Sequence, residues 1–158
     1  MSGNLAYLDP IPGERWVTVK GFEDYEVSDR GRVRSYKTLH RKHGRAKVDA
    51  IRSHVENNGI TKATAWLQPT MLKLHSSPTT PGYYAKMVLL YSENSDDRAN
   101  YMINRLVYEN FVGPILEGMD VCHKNEDETD DRPDNLYLRE SSLRSLAGRL
   151  AQLEARAR

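Results

Sequence analysis

The sequence predicts an α+β fold, made of short strands paired in hairpins with few helices between them. Three observations predict it. Stretches rich in β-branched and aromatic residues, such as Trp16-Val17-Thr18-Val19 and Gly82 to Leu90, are bounded by Gly, Pro, Asn and Asp. Helical spacing of apolar residues occurs only in brief segments and near residue 150. At 158 residues with 39% hydrophobic content, the chain can bury one core of ordinary size and not two full domains.

Taken in order, Pro10 and Pro12 mark an unstructured lead. Trp16 to Val19 reads as a strand ended by Gly21, and Tyr25 to Ser28 as a second. Asp29-Arg30-Gly31 makes a turn, with Gly31 suited to a positive φ, and Arg32-Val33-Arg34-Ser35 returns. Alternation puts Val33 on one face and both arginines on the other. Residues 36 to 67 read as an excursion, with a helix over Lys47 to Glu56 stopped at Asn57-Asn58-Gly59 and closed by Pro69.

Gly82 to Leu90 reads as a strand that Ser92 to Asp97 turns back into Tyr101-Met102-Ile103. Asn104 to Phe111 has a helical apolar face, and Gly113-Pro114 stops it. Met119 to His123 and Asn135 to Leu138 form a second hairpin around a long acidic loop. A final helix is expected after a cap at Ser141 or Ser142, with Leu143, Leu146, Leu150 and Leu153 at spacings of three and four.

Composition excludes several classes. Charged residues make up 28% and mean hydropathy is -0.70. An apolar run such as Met87 to Leu90 is far short of a membrane span. The first residues carry neither a basic start nor a long apolar stretch, so no secretory signal is expected. Cys122 is the single cysteine, which excludes an internal disulfide and a site of several thiolates. The net charge is only +1, yet it is unevenly spread. Arg30, Arg32, Arg34, Lys37, Arg41, Lys42, Arg45, Lys47 and Arg52 form a cationic block, whereas Glu117 to Asp134 is strongly acidic. The alternation of Asn125, Asp127, Thr129 and Asp131 lacks the central glycine and terminal glutamate of a calcium loop. His40, His43, His54 and His75 have no metal-ligand spacing and read as surface residues.

Two segments resemble known modules. Trp16, Gly21-Phe22-Glu23, Tyr25-Glu26-Val27-Ser28-Asp29 and Gly31-Arg32-Val33-Arg34-Ser35 resemble the nuclease-associated modular domain at the front of many phage and intron-encoded homing endonucleases. Asn104-Arg105-Leu106-Val107, Phe111-Val112-Gly113, Val121-Cys122-His123 and Asp130-Asp131-Arg132-Pro133-Asp134-Asn135-Leu136 resemble the HNH endonuclease module of the same proteins. The expected organisation is therefore a DNA-binding-like motif at 14–35, an insert or linker at 36–81, and an HNH-like ββα module with a C-terminal helix at 82–158.

The resemblance implies a ββα-metal fold in which a divalent cation on the scissile phosphate is held by a hairpin and a helix. It makes His123 the general base and Asn135 the residue that orients it. The two metal-ligand positions it implies are Cys122, a poor ligand for Mg²⁺, and Arg144, a cation. Asn104 stands where the family usually has histidine, Asp131 where it has asparagine, and Leu138 where it has tryptophan.

These departures predict a degenerate site with no metal cofactor and a present role in binding or structure. In the family's phage setting, the expected role is a minor capsid or decoration protein, in the virion or the host cytoplasm, with a capsid protein as partner. The leucine seam Leu143, Leu146, Leu150 and Leu153 is the candidate for self-association, as a trimer. The competing reading is an active HNH homing endonuclease that nicks double-stranded DNA with Mg²⁺ or Mn²⁺. Its DNA contacts would come from Arg30, Arg32, Arg34 and Lys37. No membrane partner is expected on either reading.

Overall fold

A computed structural model describes residues 11–80, 83–91, 98–141, 147, 150, 151 and 153–155. The first sheet is a meander. Strand β1 (Trp16–Val19) pairs antiparallel with β2 (Phe22–Ser28), with Trp16 opposite Ser28 and a bulge between Thr18 and Val19. The partner β3 (Val33–Ser35) sets Val33 opposite Val27, and the short β4 (Thr70–Met71) closes the sheet against Arg34 and Ser35. The expected turn lies between β2 and β3. There the Ser28 hydroxyl accepts hydrogen bonds from the backbone N–H groups of Arg30 and Arg32, each at 3.1 Å.

The excursion after β3 holds two helices where the sequence indicated one. Helix α1 (Lys37–His43) has no acidic residue in its first turn and no side-chain cap, which is why the sequence signal for it is weak. Helix α2 (Arg45–Asn58) extends the expected helix by two residues at each end. Tyr36, Val48, Val55 and Leu67 form a small core of their own, joined by Leu39, Ile51 and Trp66. The segment is thus packed structure, as an insert would be.

An ionic network docks it on β2. His40 Nδ1 lies 2.7 Å from Asp24 Oδ1, and Arg45 pairs with Glu23 and Asp24. Arg52 Nη1 lies 3.6 Å from Glu26 Oε2. His40, expected at the surface, is buried between Asp24 and Asp49, because the helix to which it belongs packs on a strand 16 residues earlier.

The second sheet orders β5 (His75–Thr80), β6 (Tyr83–Tyr91) and β7 (Arg98–Met102) antiparallel. Strand β5 was not visible in the sequence because His-Ser-Ser-Pro-Thr-Thr has no apolar alternation. Helix α3 (Ile103–Val107) follows directly and runs into a π-helical turn at Tyr108–Val112, together covering the single helix expected there. The last sheet pairs β8 (Met119–His123) with β9 (Leu136–Glu140), and a 3₁₀ turn at Pro133–Asn135 leads into β9. Positions 147, 150, 151 and 153–155 are helical; Leu143, Arg144 and Leu146 lie outside the described residues.

One core runs through both expected modules. Val19, Tyr25, Val27 and Val33 from the first sheet pack with Val88 and Leu90 of β6, Ile103, Leu106 and Val107 of α3, Val121 of β8 and Leu136 of β9. Burying an aliphatic side chain of this size contributes roughly 1.5–3 kcal/mol. Shared burial on this scale fixes the N-terminal hairpins against the β8–β9 unit, and Tyr25 adds a polar tie, its hydroxyl accepting from the Tyr91 N–H at 3.3 Å. Burial in that position raises the Tyr25 phenol above its ordinary pKa.

Candidate active site

The β8–β9 hairpin and α3 build the site. Alternation along β8 sends Val121 into the core and turns His123 toward the same side, while Cys122 faces the other way. Asn104 at the start of α3 donates its amide to the Val121 carbonyl at 3.1 Å, which locks helix to strand. It fills a structural role at that position.

His123 Nε2 lies 2.7 Å from Asp131 Oδ1, and the two side chains are only 6% and 3% exposed. An ionised carboxylate only accepts, so Nε2 carries the proton and Nδ1 is left as a proton acceptor. The other Asp131 oxygen, Oδ2, is buried without a hydrogen-bond partner. It lies beneath the turn of the first sheet, where a Cβ built on Gly31 would sit 3.3 Å from Asp131 Cβ and 3.6 Å from Oδ2. An unpaired buried carboxylate oxygen is costly, and such costs are retained most often where they shape a reactive group.

Asn135 has a different task from the orienting role the resemblance implied. Its amide donates to the Asp130 carbonyl at 2.8 Å and to Asn125 Oδ1 at 2.9 Å, and its Oδ1 accepts from the Asn125 N–H at 3.2 Å. It ties the acidic loop together, and the group that touches His123 is Asp131. Sequence reasoning noted Asp131 as a departure and as one of the alternating loop residues, not as a partner of His123. Its place eight residues after His123, across the loop, was the available signal.

The loop uses its acidic side chains internally. Asp127 accepts from the Thr129 hydroxyl and N–H, and these bonds hold its carboxyl below the usual range. Arg132 donates from Nε and Nη2 to the two oxygens of Asp130, each at 2.8 Å, and this holds Asp130 at about 2. Lys86 of β6 reaches the Thr129 carbonyl at 3.0 Å.

The divalent cation implied by the resemblance does not fit the described residues. Cys122 offers a soft thiol on the far side of β8 from His123, and the helix position, Arg144, is outside the described residues. Asp131, the carboxylate nearest His123, uses Oδ1 on the imidazole and has Oδ2 sealed under Gly31. Among the described residues, no three His, Cys, Asp or Glu side chains gather as a metal site.

The four expected DNA contacts divide in two. Arg30 and Lys37 are exposed. Arg34 is buried: it donates to Glu26 at 2.8 Å and lies 4.0 Å from the Trp16 ring. Arg32 is paired with Glu14 and also stacks on Trp16. The predicted common face of the two arginines is therefore real, but Trp16 and two glutamates cover it, so it is not an open basic surface. Of the leucines expected to self-associate, Leu150 and Leu153 are exposed. No helix among the described residues is long and apolar enough to cross a membrane.

Residues 14–84 match the NUMOD4 motif, and residues 101–142 match the HNH endonuclease family. The two matches together support an HNH homing endonuclease family for this chain. The NUMOD4 match carries the N-terminal module past residue 35 and through both helices, in accord with their docking on β2. The solved structure of the HNH homing endonuclease I-HmuI, described as binding and cleaving DNA, has a similar fold, with a TM-score of 0.52 at 19% identity. That likeness covers 90% of this chain and 59% of the other, so this chain spans well under two thirds of that protein's length. No curated protein matches the sequence.

Proposed function

We propose that this HNH homing endonuclease-like chain acts on double-stranded DNA as a phosphodiester hydrolase, with His123 as general base. The observation that carries the reading is the buried His123–Asp131 pair. In this reaction His123 Nδ1 takes a proton from water as the water oxygen attacks phosphorus. The bond from phosphorus to the leaving deoxyribose oxygen breaks, and that oxygen acquires a proton from solvent. Asp131 fixes the imidazole tautomer and balances the charge of the imidazolium.

A second reading, a DNA-binding protein that has lost cleavage, is favoured by Cys122 at a ligand position and by the lack of a metal-holding cluster among the described residues. A capsid or decoration role draws no support from either family match or from the I-HmuI likeness.

Nicking of supercoiled plasmid at low salt, with Mg²⁺, with Mn²⁺ and with chelator, separates the two. Hydrolysis that falls by about 10²–10⁴ in His123→Ala supports the base assignment. Duplex retardation without nicking selects the second reading, and the absence of both overturns the two together.

A further inference from the structure

The contact between Gly31 and Asp131 carries the neighbours of both residues with it. Arg30 precedes Gly31 and Arg132 follows Asp131, so a turn of the N-terminal module and the loop of the HNH module bring two guanidinium groups together across a hundred residues of chain. Both line one cleft of about 300 Å³, with Arg15, Asp29, Pro133 and Asp134. We propose that Arg15, Arg30 and Arg132 form a single binding site for a DNA backbone phosphate, assembled between the two modules beside the His123–Asp131 pair. The proposal rests on the DNA reading above.

Arg15 and Arg132 are held in place by carboxylates while keeping donors free for a ligand. Arg15 anchors to Asp29 through its backbone N–H at 3.0 Å and its Nε at 3.2 Å, and no described residue accepts from its terminal nitrogens. Arg132 is clamped on Asp130 through Nε and Nη2, which leaves Nη1. Arg30 Nε stands 3.9 Å from Asp29. The side chains of Arg15, Arg30 and Arg132 are 71%, 37% and 49% exposed, so a ligand can reach them. Guanidinium forks already fixed by carboxylates lose little freedom on meeting a phosphate, and their planar donors match its oxygens.

Three guanidinium groups stand against Asp29, Asp134 and the Asp130 that clamps Arg132, so the cleft offers a phosphodiester directed guanidinium donors and no net positive charge. Arg32 and Arg34, which the sequence favoured as DNA contacts, are paired and covered, so this cleft takes over their expected role with residues from both modules.

The test uses the full chain and a labelled random-sequence duplex, with fluorescence anisotropy read between about 50 and 200 mM salt. Arg30→Gln, Arg15→Gln and Arg132→Gln are each expected to lower the slope of log K against log salt by about 1, uniformly across sequences. Arg132→Lys is expected to keep the slope and lose affinity, because the charge remains and the fork does not. Lys42→Gln, which removes an exposed charge on α1, provides the comparison. Circular dichroism confirms that each variant is folded. Wild-type binding with all three variants no weaker than Lys42→Gln overturns the site and leaves the DNA reading standing. A wild-type chain that binds no duplex at low salt overturns both.

Discussion

Replacing Gly31 by alanine tests the joint between the modules at one atom. Two costs add. Gly31 has φ +78, and a side chain in that left-handed region costs about 1–2 kcal/mol. The new methyl would also stand 3.2 Å from Ile103 Cγ2 and 3.3 Å from Asp131 Cβ, so core side chains must give way, at about 1–3 kcal/mol. The expected loss is about 2–5 kcal/mol, or roughly 5–15 °C in Tm. Gly21→Ala separates the terms, because Gly21 has φ +82 and nothing within 4 Å of the added Cβ, so only the backbone cost applies. Urea unfolding followed by the fluorescence of Trp16 and Trp66 measures both variants. In Gly31→Ala the displaced Asp131 should also weaken the hydrogen-bonded His123 Nε2–H resonance in the NMR spectrum. If Gly31→Ala is no less stable than Gly21→Ala and that resonance is unchanged, the argument that the N-terminal turn seats the Asp131 carboxylate is refuted.

Three further outcomes follow from the same geometry. Glu26→Ala removes the 2.8 Å partner of buried Arg34 and is expected to cost about 3–5 kcal/mol by urea unfolding, whereas Glu26→Leu with Arg34→Met should be far milder. Leu90→Ala, at a fully buried position of the shared core, should cost about 2–5 kcal/mol, and NMR signals of β1–β3 and of β8–β9 should report one coincident transition. The Asp130 carboxyl should titrate near 2, and in Arg132→Gln it should move up toward 3.8. Because its folded value lies below the ordinary one, this pair adds stability above about pH 3.8 and loses it as the pH falls toward 2, as ¹³C carboxyl shifts and unfolding would both record.

Local pattern carried the strands whose residues alternate or cluster as β-formers. Trp16–Val19, the turn at Gly31 and the β8–β9 hairpin were legible because turn chemistry and side-chain period act between near neighbours. Helix α1 and strand β5 were not, because neither has a cap or an apolar period of its own. α1 is held by His40 on Asp24 and Leu39 on the small core, and β5 by backbone pairing to β6.

The candidate site divides along the same line. His123 was singled out in the sequence by the resemblance, since Val121-Cys122-His123 is contiguous. Its partner was decided by the tertiary structure, which brings Asp131 back across the loop and diverts Asn135 to holding that loop. Sequence also determined a cationic block and an acidic one, but charge along a chain does not say which side chains stay open. Folding covers Arg32 and Arg34 with Trp16, Glu14 and Glu26, and gathers Arg15, Arg30 and Arg132 in one cleft. The reason is physical: periodicity and turn residues fix which way a side chain points from its own strand, whereas its exposure and partners depend on surfaces contributed by segments far away in sequence.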